Sequence, residues 1–212
     1  MIKYIFRDID ANGKLTLATG ALEDASEITQ IPDYGLYYAF YGSPLLTGSV
    51  SFPNLTSIGD YGLYTAFYDC SGLTDVSFPS LTSIGERGLS DAFSFCQGLT
   101  GSVSFPNLIS IGYSGLSHAF SGCSGLTGSV SFPKLTSIDR SGLSNAFKSC
   151  TGLTGSVSFP SLTSIGERGL SGVFTGCSGI TEVHFKASLS GTSQCTSSNM
   201  GCTKATVYFD LP

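Results

Sequence analysis

Cysteine is the residue type whose spacing first suggests chemistry in this chain of 212 residues. Five of the seven cysteines recur at intervals of 26 or 27 residues: Cys70, Cys96, Cys123, Cys150 and Cys177. Zinc sites place cysteines within a few residues of each other, so this spacing does not indicate a metal site. The regular interval instead predicts an inward ladder of reduced structural thiols, each able to donate a weak S–H hydrogen bond to a carbonyl.

Cys195 and Cys202 do not follow this interval. They flank the polar stretch 196–201, close to the C-terminal end. In an oxidising compartment this pair is a candidate disulfide, and two reduced thiols are the alternative.

Catalysis receives little support from the histidines and carboxylates. His118 occupies a position that varies between repeats, and His184 replaces a strand serine, so both are expected at the surface. No arrangement of the residues suggests a Ser-His-Asp or Cys-His catalytic group, and no carboxylate pair stands out. Two Gly-Glu-Arg-Gly segments predict weak surface ion pairs: Glu86 with Arg87, and Glu167 with Arg168. We therefore expect a protein that is not an enzyme and that uses no metal and no cofactor.

Tyrosine is concentrated in one short part of the chain. Seven of the ten tyrosines fall within residues 34–68: Tyr34, Tyr37, Tyr38, Tyr41, Tyr61, Tyr64 and Tyr68. Three pairs of them are 27 residues apart, so stacked repeats would place them side by side. Tyrosine offers a large amphipathic contact area at low entropic cost, which predicts a binding or assembly surface. The alternative is that these rings pack under an N-terminal hairpin, or stack for stability alone.

An internal repeat of 26 or 27 residues dictates the elements that must position these side chains. Five full copies cover 45–71, 72–97, 98–124, 125–151 and 152–178. Ser-Val-Ser-Phe alternates as a strand with Val and Phe inward, and the following Pro ends it. Leu-Thr-Ser-Ile predicts a second short strand, and Gly-Leu-x-x-Ala-Phe about one helical or 3₁₀ turn. Stacked copies therefore predict a mainly β solenoid that rises about 4.8 Å per copy.

The two ends of the chain differ from the repeats, as caps should. Residues 1–30 predict an N-terminal β-hairpin cap, with its turn at Asn12-Gly13. Residues 31–185 are predicted to form the solenoid of about six copies. Residues 186–212 are predicted to form a C-terminal cap, whose last strand would cover the open edge of the sheet.

Composition excludes several classes of function. Ten Lys and Arg residues and a net charge of −5 give no electrostatic surface for nucleic acid. Gly, Ser and Pro interrupt every apolar stretch, so membrane insertion is not expected. The first eight residues lack the apolar stretch of about 7–15 residues that a signal peptide has.

The repeated Ile-Gly, Ala-Phe, Cys, Leu and Val-x-Phe-Pro series resembles the BspA-like leucine-rich repeats. The resemblance covers about 31–185. It implies a leucine-rich-repeat solenoid in a bacterial surface or secreted protein used in adhesion. Similar repeats also occur among phage and prophage proteins, and a virion protein needs no leader.

Our hypothesis is a non-enzymatic adhesion protein on a bacterial surface or a phage virion. The tyrosine-rich edge would bind a cell-surface protein or glycan. The alternative is a structural or assembly module of a phage particle or surface filament. In that case the tyrosine edge or a cap would pack against another subunit or a second copy of the chain.

Overall fold

The computed structural model describes residues 25–212, which form a solenoid of parallel strands joined by turns. Its helices are short: the 3₁₀ helices Ala25–Glu27 and Ala187–Leu189, and the α-helix Ser197–Met200. The predicted mainly β repeat solenoid is therefore confirmed. The predicted N-terminal hairpin and its turn at Asn12-Gly13 lie outside the described residues.

One face of the solenoid is a parallel sheet of two-residue strands built from the Ser-Ile pairs and their equivalents. Its six strands are, in order, β1 (Gln30–Ile31), β3 (Ser57–Ile58), β5 (Ser83–Ile84), β7 (Ser110–Ile111), β9 (Ser137–Ile138) and β11 (Ser164–Ile165). The isoleucines of β1 to β9 are buried, and Ile165 is half-buried. Each strand pairs in register with its equivalent in the next repeat. These strands are the second short strand that the Leu-Thr-Ser-Ile segment of the repeat predicted.

A second face is formed by the Ser-Val-Ser strands. A two-stranded sheet holds β2 (Gly48–Ser51) and β4 (Leu73–Ser77). A five-stranded sheet holds β6 (Gly101–Ser104), β8 (Leu126–Ser131), β10 (Thr154–Phe159), β12 (Gly179–Lys186) and β13 (Thr206–Leu211). The break between β4 and β6 follows the one copy that is 26 residues long. Strand β13 pairs in parallel with β12 and forms the C-terminal edge.

Two ladders of phenylalanine fill the core between these faces. One ladder comprises Phe40, Phe67, Phe93, Phe120, Phe147 and Phe174, and the other Phe52, Phe78, Phe105, Phe132, Phe159 and Phe185. Successive rings in each ladder stack with centroids 4.8–6.0 Å apart. The ladders also interlock, because Phe78 meets Phe93 edge-on at 6.1 Å, and this contact repeats further along. The core is therefore continuous, and no repeat has a core of its own.

The third face is a chain of overlapping β-turns. It consists of residues 32–42, 59–69, 85–95, 112–122, 139–149 and 166–176, and we call it the turn ribbon. The prediction of a helical or 3₁₀ turn in this segment is wrong. Only alternate amides bond along the chain, as from Ala39 N–H to Leu36 O at 3.1 Å. The amides between them bond to the next repeat, as from Tyr38 N–H to Tyr64 O at 3.0 Å.

Every fourth residue of the turn ribbon has the left-handed backbone conformation. Fourteen residues other than glycine have φ between 50° and 62° in the described chain, and all lie in the ribbon. Tyr34 and Tyr38 are two of them, each the third residue of a turn that closes three residues along the chain. A positive φ at that place is what a type II turn requires. This conformation costs about 1–2 kcal/mol at a residue with a Cβ, so the hydrogen bonds between repeats must offset it.

We expect Ser149→Gly to raise the free energy of unfolding by about 0.5–1 kcal/mol, because glycine adopts positive φ without the Cβ clash. Ser149 is exposed, with a φ of 60°, and Gly122 and Gly176 occupy the same place in the neighbouring repeats. Urea denaturation of the full chain measures the change. Lys148→Gly, at an adjacent residue without positive φ, should instead lower stability by about 0.5–1 kcal/mol. Equal effects of the two substitutions would contradict the prediction.

Candidate functional site

The seven predicted tyrosines come together on the turn ribbon of the first two repeats. We call this group the tyrosine surface. Three pairs stack across the repeats with ring centroids 5.1–5.3 Å apart: Tyr34 on Tyr61, Tyr37 on Tyr64, and Tyr41 on Tyr68. The rings of each pair are within 14° of parallel. Their spacing of 27 residues therefore produces three neighbouring stacks.

Tyr38 joins the stacks into one cluster. Its equivalent one repeat later is Thr65, so it has no tyrosine of its own to stack on. Its ring instead meets Tyr37, Tyr41 and Tyr64 in tilted contacts at 4.7, 5.6 and 5.6 Å. The tyrosine surface is thus one packed aromatic group.

The first row of the tyrosine surface is open to solvent. Tyr34, Tyr37, Tyr38 and Tyr41 are between 43% and 60% exposed, while the second row is half-buried. Burial raises the pKa of Tyr64, and the neighbouring Tyr38 and Asp91 raise it further. Tyr64 therefore stays a neutral phenol at physiological pH, able both to donate and to accept a hydrogen bond.

The aromatic group extends further than the tyrosine spacing predicted. The Arg87 guanidinium lies 5.5 Å from the Tyr61 ring and 5.7 Å from the Tyr113 ring, and its Nη1 donates to the Tyr61 hydroxyl at 3.0 Å. Phe95, itself 42% exposed, meets Tyr68 edge-on at 5.4 Å. When the repeats are aligned, arginine replaces tyrosine at position 87, so the alignment predicts that the tyrosine surface ends there. In the structure Arg87 extends the tyrosine surface, because its guanidinium makes cation–π contacts with the neighbouring rings.

Arg87 therefore does not form the ion pair with Glu86 that the sequence predicts. Glu86 accepts a hydrogen bond from the Tyr61 hydroxyl at 3.3 Å instead. The second predicted pair does form, with Arg168 Nε 3.9 Å from Glu167, and Arg140 lies 3.6 Å from the same carboxylate. All three of these side chains are more than half exposed, so these contacts add little stability.

The five cysteines that share the repeat interval are all buried, and they form a regular series of thiol contacts. Each Sγ lies 3.0–3.1 Å from the carbonyl oxygen of a ribbon phenylalanine one repeat earlier: Cys70 on Phe40, Cys96 on Phe67, Cys123 on Phe93, Cys150 on Phe120 and Cys177 on Phe147. The Phe93 carbonyl oxygen also accepts a hydrogen bond from Cys96 N–H at 3.2 Å. The Cys123 thiol therefore donates to the second lone pair of that oxygen. Burial raises the pKa of Cys150 to about 12 and that of Cys177 to about 11.

Cys195 and Cys202 are also buried and free in the structure. Cys202 lines a cavity of about 130 Å³ together with Cys177, and Cys195 is not part of that lining. Burial raises the pKa of Cys195 to about 12. The disulfide between Cys195 and Cys202 stays a prediction that depends on the compartment.

The two histidines lie in different surroundings. His118 is half-buried at a ribbon position with a φ of 55°. His184, on β12, holds the last two strands together, with Nδ1 3.0 Å from Asp210 and Nε2 3.3 Å from Glu182. Its ring also stacks on Tyr208 of β13 at 4.8 Å.

Other kinds of site find no support among the described residues. Residues 25–212 contain no group of three or more His, Cys, Asp and Glu side chains that could hold a metal ion. No helix in this part of the chain has the length and hydropathy needed to span a bilayer. The tyrosine surface contributes four of the eight exposed large hydrophobic residues in the described chain. It is therefore the candidate site.

Comparison with protein families identifies the repeat. A profile described as the BspA type leucine rich repeat region matches in six copies, over residues 29–141 and 143–209. The chain belongs to this family. The BspA-type assignment agrees with the parallel strands and with the resemblance in the repeat sequence. No curated protein shows significant similarity to this BspA-type chain.

Solved structures of bacterial repeat proteins are similar to this BspA-type chain at low sequence identity. A leucine rich cell surface protein from Faecalibacterium prausnitzii is 19% identical, with a TM-score of 0.34, and the match covers 87% of this chain and 64% of that one. A leucine rich repeat protein from T. pallidum is 18% identical, with a TM-score of 0.37, and the match covers 80% of this chain and 78% of that one. The chain thus spans somewhat less than two thirds of the Faecalibacterium protein.

We expect the five cysteines of the thiol ladder to resist alkylation in the folded protein. Burial raises the pKa of Cys96, Cys123, Cys150 and Cys177, which keeps these four thiols protonated at about pH 8, and the thiolate is the reactive form. Cys70 is fully buried as well, so a reagent cannot reach its thiol in the folded chain. Iodoacetamide labelling followed by mass spectrometry should modify them only slowly in buffer and all of them in urea. Rapid labelling of any ladder cysteine in the folded chain would contradict this expectation.

We expect His184 to make the attachment of β13 depend on pH. Its hydrogen bond with Asp210 raises its pKa above the ordinary 6.5, and Glu182 adds to this. A raised pKa in the folded state stabilises the fold fully below about pH 6.5 and loses that effect as pH rises through the folded value. Hydrogen exchange of the β13 amides, corrected for the intrinsic rate, should therefore show more protection at about pH 5.5 than at pH 8.5.

His184→Gln should remove most of this pH dependence, because glutamine carries no charge at either pH. His118→Gln is the matched control and should leave the dependence as in the parent. The expectation fails if the His184 variant keeps the parent's pH profile.

Proposed function

We propose that this BspA-type protein is a non-enzymatic adhesion or binding protein. It is displayed on a bacterial surface or on a phage virion, and the tyrosine surface binds a cell-surface protein or glycan. The observation that carries the proposal is the row of four tyrosines, 43–60% exposed, of which three stack on the tyrosines of the second row.

The geometry of the tyrosine surface supports binding more than stability alone. Rings that serve only to stabilise a ladder are buried, as in the two phenylalanine ladders of the core. The first tyrosine row leaves large amphipathic side chains in water, where they gain little from burial. Contacts with the second row also hold these side chains in place, so a partner would lose less conformational entropy on binding.

Surface display is proposed from the family and from one relative. The Faecalibacterium structure is described as a cell surface protein. Leucine-rich repeats stack into extended rigid surfaces that suit binding to other molecules. Display on a virion and attachment to a glycan are further parts of the same proposal.

Whole-cell binding tests this function. Fluorescently labelled protein is incubated with bacterial and with epithelial cells and measured by flow cytometry. The test variant combines Tyr34→Asn, Tyr37→Ser, Tyr38→Asn and Tyr41→Ser, since asparagine tolerates the positive φ of Tyr34 and Tyr38. Ile109→Thr is the control, because it removes another exposed apolar side chain and restores the threonine of the other repeats.

We expect the parent protein and Ile109→Thr to bind one of the cell types equally. The quadruple variant should bind at least about tenfold more weakly, because aromatic anchors carry most of the energy of an interface. Circular dichroism establishes that all three proteins are folded. Equal binding by the quadruple variant, or no binding by the parent, would overturn the proposal. A parent that binds no cell but is oligomeric by light scattering, with the quadruple variant a monomer, would support assembly instead.

A further inference from the structure

We infer that the tyrosine surface takes a protein partner with an arginine-bearing, basic face. This inference rests on the proposed function, since it names the class of partner for the same surface. Three observations support it: the carboxylates next to the rings, the uneven distribution of charge along the chain, and the binding of the Arg87 guanidinium by tyrosine rings and a tyrosine hydroxyl.

Carboxylates flank the tyrosines along the turn ribbon. Asp33 and Asp60 directly precede Tyr34 and Tyr61, and Asp69 directly follows Tyr68. All three acidic residues are exposed. The Asp33 carboxylate accepts the Asp60 amide at 2.8 Å, and Asp60 accepts the Glu86 amide at 2.7 Å. These hydrogen bonds fix one carboxylate oxygen of Asp33 and one of Asp60, which leaves the other oxygen of each for a partner.

Net negative charge is concentrated in the same part of the chain as the tyrosines. Residues 25–96 contain seven Asp and Glu residues and one basic residue, Arg87. Residues 97–212 contain four acidic and six basic residues. The half of the solenoid that carries the tyrosine surface is therefore strongly acidic, while the other half is slightly basic. A field of this sign attracts a cationic partner and repels an acidic one.

Arg87 shows how the surface holds a guanidinium group. Its cation lies over the Tyr61 and Tyr113 rings, at 5.5 and 5.7 Å, and it donates to a tyrosine hydroxyl. The exposed first row offers the same chemistry, tyrosine rings and hydroxyls, with Asp33, Asp60 and Asp69 next to tyrosines of the same surface in the sequence, and no cation from residues 25–212 lies over its rings. Arginine is suited to such a place because a planar guanidinium can stack on a ring and still donate to a carboxylate. A lysine ammonium is a compact, strongly hydrated charge that cannot stack in this way.

A neutral glycan would use the same rings differently. Sugar stacking needs open aromatic faces and hydroxyl partners, but gains nothing from a net negative charge. The acidic flank therefore favours a basic protein face over a neutral oligosaccharide, and salt dependence separates the two.

Fluorescence anisotropy with synthetic peptides tests the inference. The probes are labelled peptides of six Arg-Gly, six Lys-Gly or six Gln-Gly units, with unlabelled maltohexaose as a competitor. The test variant is Asp60→Asn with Asp69→Asn, which preserves the oxygen that accepts the Glu86 amide. Asp139→Asn with Glu167→Gln is the matched control, because it also removes two carboxylates from the turn ribbon, but in the later repeats.

We expect the Arg-Gly peptide to bind the parent at least about threefold tighter than the Lys-Gly peptide, and the Gln-Gly peptide not to bind. Affinity should fall at least about threefold between 50 and 200 mM salt. The acidic test variant and the quadruple tyrosine variant should each bind the Arg-Gly peptide at least about tenfold more weakly. The matched control should stay within about twofold of the parent.

Unchanged binding by the acidic test variant, equal binding of the Gln-Gly peptide, or displacement by maltohexaose would overturn the inference. If cells bind through the tyrosines but the Arg-Gly peptide does not bind, this inference fails and the proposed function stands. If cells do not bind and the peptide does not bind, both fail.

Discussion

The fold depends on hydrogen bonds from alternate amides of the turn ribbon to carbonyls one repeat later. Bonds such as Tyr34 N–H to Asp60 O, at 2.9 Å, lock one repeat onto the next in a fixed register. Equivalent residues are then about one strand spacing apart, close to 4.8 Å. That distance suits stacked aromatic rings, so one backbone constraint produces both the phenylalanine ladders inside and the tyrosine stacks outside.

The same constraint explains why the ribbon tolerates backbone strain. Amides can point alternately along the chain and toward the next repeat only if every fourth residue takes a positive φ. Glycine fills some of these places, including Gly122 and Gly176, and ordinary residues fill the rest. The side chains at these places vary widely in type, from Tyr34 to Arg87 and His118. The strained positions are thus among those where the repeat differs most from copy to copy. Three tyrosines of the tyrosine surface, Tyr34, Tyr38 and Tyr61, occupy such positions.

Sequence alone predicts most of the core and part of the site. Alternation in Ser-Val-Ser-Phe and the constant repeat interval predict the strands, the buried phenylalanines and the tyrosine pairs. The conformation of the turn ribbon could not be predicted, because Gly-Leu-x-x-Ala-Phe is also compatible with a helix. In addition, tyrosine and arginine rarely adopt a positive φ, so their presence does not indicate one. The contact of Arg87 with Tyr113 escapes it too, because Tyr113 is one residue out of alignment with Tyr61 and Arg87. Alignment of repeats finds stacks of equivalent residues and misses contacts between unlike ones.

A solenoid of nearly identical repeats has little means of recognising one partner, since its strand faces repeat the same serines. Specificity must come from the places where copies differ, and these places must be rigid for the differences to be presented in one geometry. The first two repeats meet both conditions. Their tyrosines are held by stacking at 5.1–5.3 Å, and Asp33 and Asp60 are held by backbone amides. Because the later repeats carry serine, arginine and lysine at comparable places, a partner that needs both rings and carboxylates can bind at one end of the solenoid only.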